Sequence, residues 1–198
     1  MTTICRTSIA LLAVLALAAC GDSGAPKFRS TDITGADFGS GFELHDPAGH
    51  LRQLSDFKGK AVVLFFGYTH CPDVCPTTLA DLAQAMKKLG PLADRVQVLF
   101  VTVDPERDTP AVLAQYVPAF DPRFLGLRGD AAQTERVAKD FKVYYEKRAG
   151  KSPGEYSVDH SAQSYVFDPQ GKLRLYVRQD RIAEDLVPDL RILLGASS

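Results

Sequence analysis

Ten residues, Gly67-Tyr68-Thr69-His70-Cys71-Pro72-Asp73-Val74-Cys75-Pro76, constrain this chain more than any other stretch. They follow an apolar run, Val62-Val63-Leu64-Phe65-Phe66, that reads as a buried strand. They precede Thr77–Leu89, whose Leu79, Leu82, Ala83, Met86 and Leu89 share one helical face. Two thiols four positions apart therefore sit at a strand-to-helix turn. Thiolates placed there either exchange electrons through a disulfide or hold a soft metal ion.

Pro76 limits the local geometry. A proline deep in a helix costs roughly 3 kcal/mol and biases the residue before it away from helical angles. The expectation is a helix starting at Pro76, with Cys75 as its N-cap and Cys71 to Val74 as a turn. Both sulfurs then face the positive end of the helix, which should lower both thiol pKa values. Were the segment helical throughout, Cα atoms four apart would lie roughly 6 Å from one another, within disulfide range. Either geometry brings the sulfurs together.

The three-residue spacer leaves room for the sulfurs to open around an ion. Cu(I) prefers soft thiolates, and two thiolates with one imidazole suit it, whereas zinc normally takes a fourth ligand. Four histidines are candidates. His70 adjoins Cys71, but neighbouring side chains in an extended segment point apart. His45 and His50 flank a turn and read as solvated. His160 lies in Ser157-Val158-Asp159-His160-Ser161, in a loop just before an apolar strand. The residues alone leave it open between a third ligand and a surface histidine. Asp159 beside it is a candidate partner for its ring.

Elsewhere the pattern alternates. Phe42–His45 and Leu51–Leu54 flank Asp46-Pro47-Ala48-Gly49 as a hairpin. Val96–Val103 is a second buried strand. Thr109 caps a helix with Pro110 at its first position, and Asp130 caps another running to about Phe141. Phe124–Leu127 and Val143–Lys147 read as strands, and Gly150 to Tyr156 as a loop. Ser164–Phe167 and Leu173–Val177 form a hairpin around Asp168-Pro169-Gln170-Gly171. A last helix lies between Arg181 and Leu194, kinked or divided at Pro188. This order predicts an α/β, thioredoxin-like fold: a central mixed sheet flanked by helices, with an N-terminal β-hairpin. Thioredoxins place a cis-proline in the loop over their thiols, and none stands between Pro153 and Pro169.

The N-terminus reads as a leader. Arg6 precedes an apolar stretch from Ser8 to Ala19 that suits a signal peptide and is too short to span a bilayer. Leu17-Ala18-Ala19-Cys20 resembles a bacterial lipobox, which implies lipidation of Cys20. The expected division is residues 1–19 as lipoprotein signal peptide, 20–35 as lipidated N-terminus and flexible tether, and 36–198 as the folded domain. Cys5 would leave with the leader and Cys20 would carry lipid, so of four cysteines only Cys71 and Cys75 remain free. One thiol pair is too few for a disulfide framework outside the cytoplasm. The composition, 45% hydrophobic and 24% charged, excludes a largely disordered chain. A formal charge of −1 offers no basic excess for nucleic acid.

Three segments together carry a resemblance: Phe66 through Pro76, then Val103-Asp104-Pro105-Glu106-Arg107-Asp108-Thr109, then Asp159-His160-Ser161. In this order and spacing, over about residues 36–195, the chain closely resembles the Sco/SenC family. The resemblance implies a thioredoxin-like domain that binds copper, as Cu(I) or Cu(II), through Cys71, Cys75 and His160. It implies a metallochaperone that helps assemble the binuclear copper centre of cytochrome c oxidase. The partners would be the copper-bearing oxidase subunit, other periplasmic copper carriers or thiol reductants, and the membrane through the lipid anchor. The domain would then lie on the periplasmic face of a bacterial envelope membrane. Many relatives carry a transmembrane helix where this chain shows a lipobox. Two alternatives compete: a thiol-disulfide oxidoreductase, or peroxide-handling enzyme, with Cys71 and Cys75 as its redox-active pair, and a redox or copper sensor. Peroxide chemistry needs a threonine three residues before the reactive cysteine, where this chain has Tyr68. Asp104 to Asp108 reads mainly as a loop that closes the second strand and caps the next helix, shaping the copper loop from the side.

Overall fold

The structure is a computed structural model that describes residues 27–196. The leader, the lipobox cysteine and residues 21–26 of the expected tether lie outside the described residues. The first described segments are β1 (Thr31–Asp32), the hairpin β2 (Glu43–His45) and β3 (Leu51–Gln53), and β4 (Ala61–Gly67). There follow α1 (Val74–Leu89), β5 (Val96–Thr102), α2 (Pro110–Tyr116), β6 (Leu125–Leu127) and α3 (Ala131–Asp140). A second hairpin is formed by β7 (Tyr145–Ala149) and β8 (Tyr156–His160). The chain ends with β9 (Ser164–Phe167), β10 (Leu173–Val177) and α4 (Ile182–Leu193).

The main sheet has the order β1-β10-β9-β4-β5-β6. β4 runs parallel to β5 and β5 to β6, while β9 is antiparallel to β4 and β10 to β9. Every residue of β4 is buried, because helices cover both faces of a strand that is central and mostly parallel-paired; hence its unbroken apolar run. Successive side chains alternate between the faces. Phe65 meets Phe100, which in turn packs on Tyr116 of α2. Phe66 meets Phe141 and Tyr165 on the opposite side, where Phe141 closes α3. α1 packs along α4. This is the expected thioredoxin-like architecture, and the N-terminal hairpin forms where Asp46-Pro47-Ala48-Gly49 placed it.

The caps behave as read: the Thr109 and Asp130 side chains accept from Val112 N and Gln133 N, and Gln133 reciprocates in a capping box. Pro188 lies inside α4 without dividing it. Two expectations change. Residues 29 to 32 are tied to the domain rather than free tether: β1 pairs with β10, and the buried Asp189 carboxylate accepts from Arg29 N at 2.7 Å and Ser30 N at 2.8 Å. Residues 156–160, expected as loop, form β8, which pairs with β7 from Tyr145↔His160 to Ala149↔Tyr156. Their register is set by the partner strand, and β8 has too mixed a composition to announce itself.

Candidate metal centre

The C-terminal end of β4 delivers the chain to the site. Gly67 is the last strand residue, and a Cβ there would stand 2.9 Å from Cys75 Sγ and 2.8 Å from the Phe100 ring. The thiol of Cys75 is packed against bare backbone, and only glycine allows that approach. Cys75 is fully buried, and Cys71 is half-buried.

The helix begins earlier than Pro76 suggests. α1 opens at Val74 with Asp73 as N-cap, so Cys75 and Pro76 are its second and third residues. N–H groups of the first turn have no intrahelical acceptor, so proline there forfeits no bond, and the bias on the residue before it gives way. The Asp73 side chain makes no capping bond. Instead the Cys75 N–H points at Cys71 Sγ, 3.5 Å away. The sulfur of Cys71 takes a share of the capping that a carboxylate would normally supply.

The two thiols titrate in opposite directions, where the sequence led us to expect both to fall. Cys71 is lowered from its ordinary value of 9.0 to about 4 by a hydrogen bond from the Cys75 thiol, helped by the backbone N–H groups of Asp73 and Cys75. Cys75 is pushed up because it is the donor in that pair and because it is buried. One sulfur is thus an accessible thiolate beside an enclosed thiol.

His160 is the last residue of β8. Its Nδ1 lies 2.9 Å from the Ser161 carbonyl oxygen. A carbonyl can only accept, so Nδ1 carries the proton and Nε2 keeps its lone pair. Nε2 stands 3.3 Å from Cys75 Sγ. The ring is bracketed edge-on by Tyr68 and Phe65, with centroids 5.8 and 6.3 Å away. The donor atoms of Cys71, Cys75 and His160 all lie within 4.8 Å of one another, the one such cluster among the described residues. Cys71 and His160 line an open cleft of about 440 Å³ between the Tyr68–Val74 segment and the Ser157–Ala162 segment. Two soft sulfurs and one neutral imidazole, brought together across 85 residues of chain, are a donor set that suits Cu(I).

The remaining candidates fall away from the cluster. His70 is exposed, with Nδ1 at 3.1 Å from Thr69 Oγ1 and 3.7 Å from Asp108. His45 is exposed, and so is His50, beside Asp46. Asp159 turns outward to Arg148 at 2.9 Å, so the partner of the His160 ring is a backbone carbonyl and not this carboxylate.

Sequence reasoning undervalued the loop after β5. Asp104 and Asp108 are both fully buried. Asp108 accepts from Thr69 N at 3.0 Å, Thr69 Oγ1 at 2.6 Å and Thr102 Oγ1 at 2.6 Å. It fixes the segment that leads into Cys71. Asp104 holds Arg107 and the Tyr156 hydroxyl. The available signal was positional: five polar or turn residues at the C-terminal end of the strand beside β4, where open α/β sheets place their sites.

Fold and site together define a thioredoxin-like domain with a dithiol–imidazole centre at the first turn of the helix after its central strand. The sequence matches the SCO1/SenC family over residues 30–195. The chain is 42% identical to the mitochondrial protein SCO2 homolog of Bos taurus over 92% of its own length and 70% of the relative's. Among solved structures, copper-bound ScoI of Bradyrhizobium japonicum is 40% identical with a TM-score of 0.72, covering 80% of this chain and all of that one. Apo Sco1 of Thermus thermophilus is 44% identical with a TM-score of 0.76, covering 86% and 100%. The chain belongs to the SCO1/SenC family.

Proposed function

We propose that this protein is a copper metallochaperone in which Cys71, Cys75 and His160 hold the ion as cargo. The observation that carries the reading is the convergence of Cys71 Sγ, Cys75 Sγ and His160 Nε2 within 4.8 Å. The copper-bound state of its B. japonicum relative supports the choice of ion.

The two sulfurs divide the work. Cys71, accessible and already a thiolate, is the sulfur at which Cu(I) arrives and at which a client's thiol can begin to replace it. Cys75 sits in the core, so its coordination needs loss of a buried proton, which the metal's charge drives. His160 approaches from the other side of the cleft with Nε2 free. Each exchange is one ligand for one ligand, so copper never passes through a bare state. The family resemblance points to the copper-bearing subunit of cytochrome c oxidase as client. The lipobox at Cys20 and the apolar segment before it favour a domain anchored by lipid on the periplasmic side of a bacterial membrane.

A second reading has its own support. A thiolate of pKa about 4 next to a protonated resolving thiol is the arrangement of a dithiol reductant. In that role Cys71 attacks a client disulfide, forming a mixed disulfide and freeing one client thiol, and Cys75 then attacks Cys71 Sγ and expels the second client thiol. The client gains two electrons and this protein keeps a Cys71–Cys75 disulfide. Anaerobic Cu(I) titration against a competing chelator separates the two. One tight equivalent that weakens sharply in His160→Ala is the expected result. Weak binding that ignores His160 would overturn the chaperone reading in favour of the reductant.

A further inference from the structure

The two halves of the centre have unequal support. Cys75 stands on α1 inside the main core, and Cys71 in the turn that joins β4 to that helix. His160 stands on the β7–β8 hairpin, which is a separate two-stranded sheet. Its strands are mostly exposed: in β8 only Val158 is buried, and in β7 no residue is. Something must hold that hairpin at the distance that gives His160 Nε2 its 3.3 Å approach to Cys75 Sγ.

The loop after β5 supplies the ties. Arg107 Nη1 donates to the Tyr156 carbonyl at 2.8 Å, and its guanidinium carbon lies 3.6 Å from the centroid of the Tyr156 ring. The Tyr156 hydroxyl donates to Asp104 at 2.8 Å, and Arg107 Nε donates to the other oxygen of the same carboxylate. One buried acid thus orients both partners, and the guanidinium also lies 5.7 Å from the ring of Tyr68, the residue that packs on His160. Nearby Lys147 of β7 pairs with Glu106 at 2.7 Å. Four residues after Asp104, Asp108 turns the other way and fixes Thr69. The Asp108 N–H closes the loop on the Asp104 carbonyl at 3.0 Å.

We propose that residues 104–108 are a brace that sets the separation between the two halves of the centre, with Arg107 as a positioning residue that acts through His160. A planar fork that both donates and stacks can register a strand in a way that a point charge cannot. The brace concerns the apo protein, while its effect on affinity rests on the copper reading, so the test has two independent parts.

The first part needs no metal. Hydrogen exchange on the reduced apo protein should show the amides of residues 156–161 opening at least about tenfold faster in Arg107→Ala and Arg107→Lys, with α1 and β4 unchanged. Unchanged hairpin exchange would overturn the brace. The second part is a cycle of Cu(I) affinities, measured against bathocuproine disulfonate, for the parent, Arg107→Ala, His160→Ala and the double variant. Arg107→Ala should weaken binding by about 10–100-fold when His160 is present and add nothing when His160 is absent. Equal losses in both backgrounds would overturn action through His160. If His160→Ala itself changes nothing, the copper reading fails while the exchange result still judges the brace. Should Arg107→Ala not fold, Arg107→Lys keeps the charge and loses the fork, and is read in the same two ways.

Discussion

The thiol segment and the β7–β8 hairpin contribute to one centre from opposite physical regimes. Cys75 is fully buried beside Gly67, where the Phe65 and Phe100 rings also close in, and its helix is packed on α4. His160 ends an exposed strand whose neighbours are ion pairs in water, Arg148 with Glu146 and Asp159. A site built wholly in the core would hold an ion and not release it. A site built wholly on a hairpin would not exclude competing ligands. Joining one half of each kind gives a fixed dithiol and an imidazole whose position depends on a few polar ties.

The largest expected effect falls on the fixed half. Cys75→Ala should reduce Cu(I) affinity by more than the ~10–100-fold that loss of an outer hydrogen-bond partner costs, and by more than His160→Ala does. The same chelator competition reads both, and equal losses would erase the distinction between the halves.

Buried and exposed carboxylates sharpen the comparison next. Asp108→Ala removes an acceptor that serves Thr69 N, Thr69 Oγ1 and Thr102 Oγ1. It should cost about 2–4 kcal/mol in urea unfolding, since at least one buried donor is left without a partner. Asp159→Ala, which breaks only an exposed pair with Arg148, should stay within about 0.5 kcal/mol. Between them lies Gly67→Ala, where the added methyl meets Cys75 Sγ and Phe100. About 1–3 kcal/mol is expected for overpacking, together with weaker Cu(I) binding as the thiol is pushed aside.

Protonation separates the two thiols. Above pH about 4 the folded protein has released the Cys71 proton, whereas the unfolded chain keeps it until near 9. In that window the unfolded state binds more protons, so the contribution of Cys71 to stability rises with pH and is lost as pH falls through about 4. Above 9 the direction reverses, because unfolding lets Cys75 ionise while the fold keeps it protonated. Urea midpoints of the reduced protein and of Cys71→Ala, compared at pH 5, 7 and 8.5, should diverge steadily. Iodoacetamide at pH 6 should label Cys71 and spare Cys75, and equal labelling would remove the asymmetry on which the entry role of Cys71 depends.

Much of the core half was legible. Val62–Phe66 is continuous because β4 is covered on both faces, and Leu79, Leu82 and Met86 keep helical spacing because α1 has one buried side. The hairpin half was not. β8 draws its register from β7 and carries Ser157, Asp159 and His160 among its five residues, so nothing periodic marks it. Residues 104–108 were read as a loop and cap, which Thr109 bears out, while the inward direction of Asp104 and Asp108 is invisible without the strand beside them.

The sequence by itself determined which groups could do the chemistry. Two thiols sit at a strand-to-helix turn with three residues between them, and one histidine is adjacent to a returning strand. Those are local facts, carried by residue type and spacing. Only the tertiary structure decided which sulfur is the thiolate and where the imidazole stands. It also decided that a buried acid and an arginine hold the imidazole there. Each depends on burial and on contacts between segments 39 to 85 residues apart. Dielectric, donor direction and distance at those contacts are properties of the packed molecule and not of any one stretch of chain.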